Sequence, residues 1–486
     1  MSNGAGAYVG WLLRVNRRLG PDADLHNGRR FAAAFRTDKD RGPVAPSQIS
    51  RWESGELLVN RATVRRYERL LGLAPESLVT VRDALYRVLP AGRRPPADPA
   101  SENDDRLHDL LDLAISDDAM TGAQWGELTE LAADRRDLVL HPRTLWSTIA
   151  CRLLDELTSR EGTAWLERQE AACRLLEHPS SRAAMVRACI DLVEDPASPA
   201  VIEPLTLLDT VADPVANAYV LRELQTPGDE RLYRGALMAS IRKIDYGHFT
   251  GEERASLERF VRAAPAASEG ETRVLLDRVQ TAYAREKPAV PPVAGAGGRR
   301  IAVGAISVLS DDDRLTPVLS SLVGQALGEH SGEQRVVAAM AIAHSPYREP
   351  ISDALLGDVR RSVARRTGDD LSPALQALTI LGSDRHRPIL FDLLTSPGHP
   401  TPVRVAAAWA LPHCAGRFTV SQWQQILDRQ LEVWRQRPAA ATESVLRGVA
   451  YGIGTDGHHA LMTRIEDDIE LPPAVRTTVA WARAHR

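Results

Sequence analysis

Lysine is nearly missing from this 486-residue chain: Lys39, Lys243 and Lys287 are the only three, so almost all of its basic charge is arginine. With the abundant alanine, that bias points to a high-GC genome such as an actinobacterial one, and it says nothing about activity. Cysteine is scarce as well. Cys151, Cys173, Cys189 and Cys414 lie far apart in apolar helical sequence with no C-x-x-C pair, which excludes a disulfide framework and implies reduced, buried core thiols. No apolar run approaches the ~20 residues that span a bilayer, and the N-terminus has no signal-peptide pattern. A cytoplasmic protein with no membrane partner is therefore expected.

Catalytic signatures are absent too. There is no G-x-S-x-G elbow and no H-E-x-x-H helix. The glycines at 295, 297 and 298 are followed by no Gly-Lys-Ser/Thr, so they make no phosphate loop. Gly452-Ile453-Gly454-Thr455-Asp456-Gly457 matches G-x-G-x-x-G, but it follows a helical pattern where a dinucleotide site needs a strand, and a helix C-cap with a turn is expected instead. His458-His459 and His413-Cys414 have no partners at zinc-site spacing and read as polar caps or packed core histidines. These absences argue against an enzyme and leave no catalytic residue, metal site or cofactor to assign.

What is present is the composition of a soluble globular protein, 44% hydrophobic and 26% charged, with length for about three domains. Two stretches break the helical texture, AGRRPPADPASENDDR at 91–106 and EKPAVPPVAGAGGRR at 286–300, and both read as linkers. They divide the chain into 1–90, 107–285 and 301–486. The middle part carries amphipathic runs at Arg182–Leu192, Val215–Leu224, Arg231–Ile244 and Glu252–Ala263. No alternating strand series appears, so the fold class is all-α.

Beyond the second linker, small-residue segments recur from Arg299, Gln334, Pro373, Pro402, Glu443 and Pro473, with starts 29 to 41 residues apart. Most are followed by a second amphipathic segment, as at Asp353–Ala364, Arg387–Leu394 and Ser421–Trp434. Helix pairs at this period define an α-solenoid. Val403-Arg404-Val405-Ala406-Ala407-Ala408-Trp409-Ala410-Leu411 resembles a HEAT or armadillo repeat helix, in which alanines permit close packing. Trp409, Trp423 and Trp434 read as packing residues.

At the other end, Ser47-Gln48-Ile49-Ser50-Arg51-Trp52-Glu53-Ser54-Gly55 writes a short helix of unusual content. Pro46 suits its first turn, Ile49 and Trp52 share an apolar face, and Ser47, Gln48 and Arg51 occupy the opposite one. Flanking helices are expected at Tyr8–Leu19 (Val9, Leu12, Leu13 inward), Gly28–Arg36 (Phe31, Ala32, Phe35) and Arg61–Leu71. Asn60 caps the last of these, Val64, Tyr67, Leu70 and Leu71 line its inner face, and Gly72 stops it. A fifth helix, Pro75–Val88, would close a small bundle.

The 47–55 segment, taken with Val64-Arg65-Arg66-Tyr67-Glu68-Arg69-Leu70-Leu71-Gly72-Leu73, resembles the Cro/phage-repressor, or xenobiotic-response-element, type of helix-turn-helix domain over the first 90 or so residues. The resemblance implies that the helix with Gln48 and Arg51 is the recognition helix and that Gly28–Arg36 lies across the DNA backbone before it. The family's short turn is replaced here by a longer Thr37–Ala45 segment, whose Lys39 and Arg41 add candidate phosphate contacts. Charge agrees: residues 1–95 hold 17 Lys+Arg against 9 Asp+Glu, a balance of +8, whereas the remainder stands at −12.

The expected architecture is a small helix-turn-helix bundle followed by a HEAT/armadillo-like α-solenoid. The expected function is that of a bacterial sequence-specific transcriptional regulator, cytoplasmic and nucleoid-associated. Arg51 and Gln48 are the expected base-edge readers, with Ser47 and Ser50 beside them. Asn60, Arg61 and Arg29 join Lys39 and Arg41 as expected backbone contacts. Ile49 and Trp52 would pack the helix, and Glu53 would orient it. The expected partners are double-stranded DNA, a second copy of the chain on an inverted-repeat operator, and a peptide, protein or small-molecule effector in the solenoid. Two further readings remain open: a helical-repeat interaction scaffold tethered to DNA, for stress or defence signalling, and a HEAT-like DNA glycosylase.

Overall fold

The computed structural model describes residues 4–35, 44–89, 104–160, 162–195, 198, 200–263, 270–284, 301, 304, 316–328, 332–365, 371–396, 398–414 and 416–484. Among these the chain is built of helices, with no strand. It forms two compact units: Met1–Asp98 joined with Val293–Arg486, and Pro99–Pro292. The two expected linkers lie outside the described residues except for Asp104, Asp105 and Arg106, which already belong to a helix because Asp104 and Arg106 are ion-paired to Arg135 and Glu127.

The first unit begins with a five-helix head: α1 (Ala5–Leu19), α2 (Gly28–Ala34), α3 (Pro46–Glu53), α4 (Arg61–Leu71) and α5 (Ser77–Val88). Its core is aromatic. Phe31 and Tyr67 lie 4.8 Å apart, Phe35 and Trp52 5.4 Å, and Phe35 and Tyr67 5.5 Å, with Val9, Leu12 and Val64 buried around them. Each such ring removed from water contributes on the order of 2–3 kcal/mol. The caps follow the sequence: Asn60 Oδ1 accepts from Thr63 N at 3.0 Å, and Gly72 closes α4 in the left-handed region at φ 64°. α5 starts two residues later than its pattern predicts, because Glu76 adopts φ 63° and turns the chain. The buried Glu68 carboxylate then takes the backbone N–H groups of Glu76, Leu78 and Val79 at 3.0, 2.6 and 3.0 Å, capping α5 from α4.

The second unit is a two-row stack. α6 (Asp104–Ile115), α8 (Leu145–Thr158), α10 (Arg182–Glu194), α12 (Pro214–Gln225) and α14 (Gly251–Ala263) form one row, and α7 (Gly122–Ala133), α9 (Gly162–Glu177), α11 (Ile202–Leu207), α13 (Glu230–Asp245) and α15 (Gly270–Ala284) the other. Its core runs continuously from Leu107 to Val279. Lys243 is fully buried within it, donating to Val211 O at 2.8 Å and Asn217 Oδ1 at 2.6 Å, and burial pulls its ammonium down to about 8. The cysteines divide: Cys173 and Cys189 are core thiols as expected, but Cys151 is exposed, because it lies on the outer side of α8 opposite Ile149 and Leu153.

The remainder of the first unit comprises α16 (Thr316–Leu327), α17 (Gly332–Ala343), α18 (Arg348–Arg365), α19 (Ser372–Leu381), α20 (Arg387–Thr395), α21 (Thr401–Ala410), α22 (Val420–Gln436), α23 (Ala440–Asp456), α24 (His459–Asp467) and α25 (Pro473–Ala484). α17, α19, α21, α23 and α25 stack in succession, each flanked by a helix of a second row. These are the recurring small-residue segments, and the arrangement is an α-solenoid. The segment from Arg299 lies outside the described residues apart from Ile301 and Gly304. Small residues are required at the contacts: a Cβ on Gly452 would collide with Trp423 Cη2, and one on Gly454 with Ala482 Cβ. Gly457 caps α23 at φ 81°, so the G-x-G-x-x-G run is a helix end. Asp456 gathers Trp423 Nε1 at 2.7 Å, Phe418 N at 3.0 Å and Arg387 Nη2 at 3.3 Å. Trp423 is wholly buried; Trp409 is half-buried against α23, with its ring 6.0 Å from that of Tyr451 and its Nε1 donating to Ser444 Oγ at 3.3 Å, and Trp434 is half-buried.

The head packs directly on this solenoid, α5 against α17 and α1 against α16. Tyr8 Oη lies 2.7 Å from Ser321 Oγ and accepts from Gln325 Nε2 at 2.7 Å. Asn16 Nδ2 donates to His344 O at 2.9 Å, Trp11 stacks on Tyr347 at 6.1 Å, and Arg87 pairs with Glu333.

Candidate nucleic-acid interface

The candidate surface is the outer side of α3. Eight residues are too few to hold a helix in water, so its position is imposed by neighbours. Ile49 and Trp52 are buried beneath it. At its C-terminal end α1 comes into backbone contact: a Cβ on Gly10 would meet Gly55 N at 2.6 Å and Trp52 O at 2.7 Å, and one on Gly55 would meet Gly6 O at 2.6 Å. Gly55 also needs its positive φ of 74° to leave the helix.

Charge fixes the same end. Glu53, 7% exposed, receives Arg17 in two parallel bonds, Nε to Oε1 at 2.6 Å and Nη2 to Oε2 at 2.8 Å, and Tyr67 Oη donates to Oε1 at 3.3 Å. Burial, with the Glu53 charge beside it, pushes the Tyr67 phenol well above its usual range, so it stays a donor. Arg17 in turn donates to His26 O at 2.5 Å and Leu25 O at 3.3 Å, holding the turn before α2. The orienting role expected of Glu53 thus has a partner, 36 residues away, that no local pattern announces.

The residues expected to touch DNA divide into three groups. Ser47, Gln48, Ser50 and Arg51 all lie exposed on one helix, and the side chains of the first three have no hydrogen-bond partner among the described residues. Arg51 Nε donates to Glu56 Oε1 at 3.1 Å in an exposed pair. Arg29 is exposed on the first turn of α2, whose amides N29 and N30 are capped by Asn27 Oδ1. At the start of α4 the Asn60 side-chain carbonyl caps the helix, and Arg61 Nε donates to Asp83 Oδ2 at 2.8 Å. Lys39 and Arg41 lie outside the described residues. The surface also includes Glu56, three residues past α3, and Arg66, which reaches Ala34 O at 3.5 Å across the end of α2; neither was assigned a contact from the sequence, and only the fold brings Arg66 to α2.

Much of the head's positive charge is balanced internally. Arg17, Arg30, Arg51, Arg61, Arg65 and Arg82 each hold a carboxylate of the head, and Arg87 holds Glu333 of the solenoid. Elsewhere, the second unit has a cavity of about 360 Å³ between α10, α12 and α13, where Arg222 holds Glu194 and Glu223 and Arg231 holds Asp229. Among the described residues no cluster of three or more His, Cys, Asp or Glu side chains could hold a metal ion, and no helix is long and apolar enough to cross a membrane. His458 Nε2 is bonded to Phe418 O at 2.9 Å.

No protein-family model matches the chain, and no match is found among curated proteins. Among solved structures it is similar to Kap121p in the crystal structure of Kap121p bound to Pho4p, at 12% identity and a TM-score of 0.25. That likeness covers 99% of this chain and 49% of the other, so the chain spans about half of the structure it matches. A similarity this weak carries no functional meaning.

Proposed function

We propose that this protein is a sequence-specific DNA-binding transcriptional regulator of the Cro/phage-repressor helix-turn-helix type, without enzymatic activity, whose α3 enters the major groove. The observation that supports this reading is the open face of α3, where Ser47, Gln48, Ser50 and Arg51 project from a helix clamped at its other side. A groove about 12 Å wide admits such a helix, with Arg51 suited to a guanine edge and Gln48 to adenine. Arg29 and Arg66, with Lys39 and Arg41, supply phosphate contacts. A single helix of this size reads few base pairs, so two copies acting on an inverted repeat are proposed. The solenoid is the proposed receiver of a peptide, protein or small-molecule effector, and the proposed place of action is the cytoplasmic nucleoid.

The test is recovery of genomic DNA bound to the tagged protein, with and without Gln48→Ala and Arg51→Ala together. Enrichment of a few promoter sites sharing an inverted repeat, lost in the double variant, is the expected result. Salt-sensitive binding without sequence preference would instead make the protein a DNA-tethered scaffold. Release of bases from alkylated DNA would overturn the non-enzymatic reading.

A further inference from the structure

The two faces of α1 do different things. Gly6, Gly10 and Arg17, at helical spacing, meet the C-terminal end of α3: the glycines approach Gly55 and Trp52 at backbone distance, and Arg17 binds Glu53. Tyr8, Trp11 and Asn16 line another face and meet the solenoid, through Ser321 and Gln325 on α16, Tyr347, and His344 O just after α17. Both sets of contacts are inelastic. Glycine against backbone leaves no side chain to yield, a bidentate ion pair has one geometry, and the Tyr8–Ser321–Gln325 triad is buried and mutually hydrogen-bonded.

We infer that α1 is a coupling helix through which the C-terminal solenoid controls the position of α3. A ligand that moves α16 or α17 must either drag α1 and α3 with it or break the Tyr8, Trp11 and Asn16 contacts. The differential binding of that ligand to the two arrangements is then transmitted to the head, and anything gripping α3 acts back on the solenoid by the same factor. The inference takes its regulatory meaning from the DNA-reading proposal, but the coupling stands apart from it.

The experiment is backbone hydrogen exchange on the full chain, comparing the native sequence with Ser321→Ala/Gln325→Ala, both substitutions lying on α16 and touching nothing in α3. Exchange at Ser54 and Gly55, whose amides close the end of α3, is expected to rise about 5-fold or more, the lower end of typical coupling between sites. Unchanged exchange there, with acceleration confined to α16, would overturn the inference. Should the double variant lose its cooperative melt, Tyr8→Phe, which leaves Ser321 and Gln325 bonded to each other at 3.3 Å, gives the same comparison more gently. Failure of the Gln48/Arg51 test with elevated α3 exchange would remove the DNA reading and leave the coupling intact.

Discussion

α3 and α23 belong to the same unit and are held by opposite means. In α23 the buried positions run all along the helix, from Thr442 to Gly454, and its stability is spread over contacts with α21, α22, α24 and α25. In α3 only Ile49, Trp52 and Glu53 are buried, and the anchoring is concentrated at one end, in an ion pair and two glycine contacts. A helix whose outer face must stay open has little area left to bury, so a few directional contacts replace many weak ones. A helix anchored in this way is open to displacement by a single substitution at its few fixed points.

Glu53→Ala is expected to give the largest contrast. It leaves Arg17 buried without its carboxylate, a loss of roughly 3–5 kcal/mol, against under about 0.5 kcal/mol for an exposed change such as Ser47→Ala. Urea unfolding followed by tyrosine and tryptophan fluorescence measures both, and equal effects would break the comparison. Gly10→Ala and Gly452→Ala come next. Each forces a Cβ into a contact below 3 Å, an overpacking cost of about 1–3 kcal/mol or more. The first should also loosen α3 in hydrogen exchange, whereas the second should loosen only α22 and α23.

Two pH effects are opposite in sign. Burial pushes the Glu68 carboxyl up to about 7, against the pull of its three backbone amides. The folded state therefore binds its proton more tightly than the unfolded chain, and stability contributed by Glu68 falls as pH rises from about 4.5 to about 7. Glu68→Gln should flatten that slope in urea midpoints measured across the range. Lys243 has a folded value below its unfolded one, so its contribution rises between pH 8 and about 10.5 and should vanish in Lys243→Met. Identical slopes in native and variant proteins would remove either assignment.

Much of the secondary structure was legible because it rests on local periodicity. The starts of α17, α19, α21, α23 and α25 fall within three residues of the segments that predict them, and Asn60 and Gly72 cap α4 where the sequence puts them. The open face of α3 was legible for the same reason. What the sequence concealed depends on partners far along the chain: Arg17 with Glu53, Arg61 with Asp83, and above all Tyr8, Trp11 and Asn16 with the solenoid. Trp11 and Asn16 read as ordinary residues of an amphipathic helix, and nothing local distinguishes a face that closes a bundle from one that docks on a distant repeat. Cys151 shows the converse error: a thiol within an apolar run still falls on the exposed side when its helix turns it outward.

The hydrogen bond between Tyr8 and Ser321 joins residues 313 apart in sequence. A ribosome adding 5–20 residues per second therefore releases the head roughly 15–60 s before its docking surface exists. Throughout that interval Trp11 and its neighbours face solvent, while the whole of Pro99–Pro292 is made and can fold in between. Completion of the first unit thus waits until the whole of the second has been made, and a chain truncated before α16 leaves the ribosome with an α1 whose second face has nothing to meet.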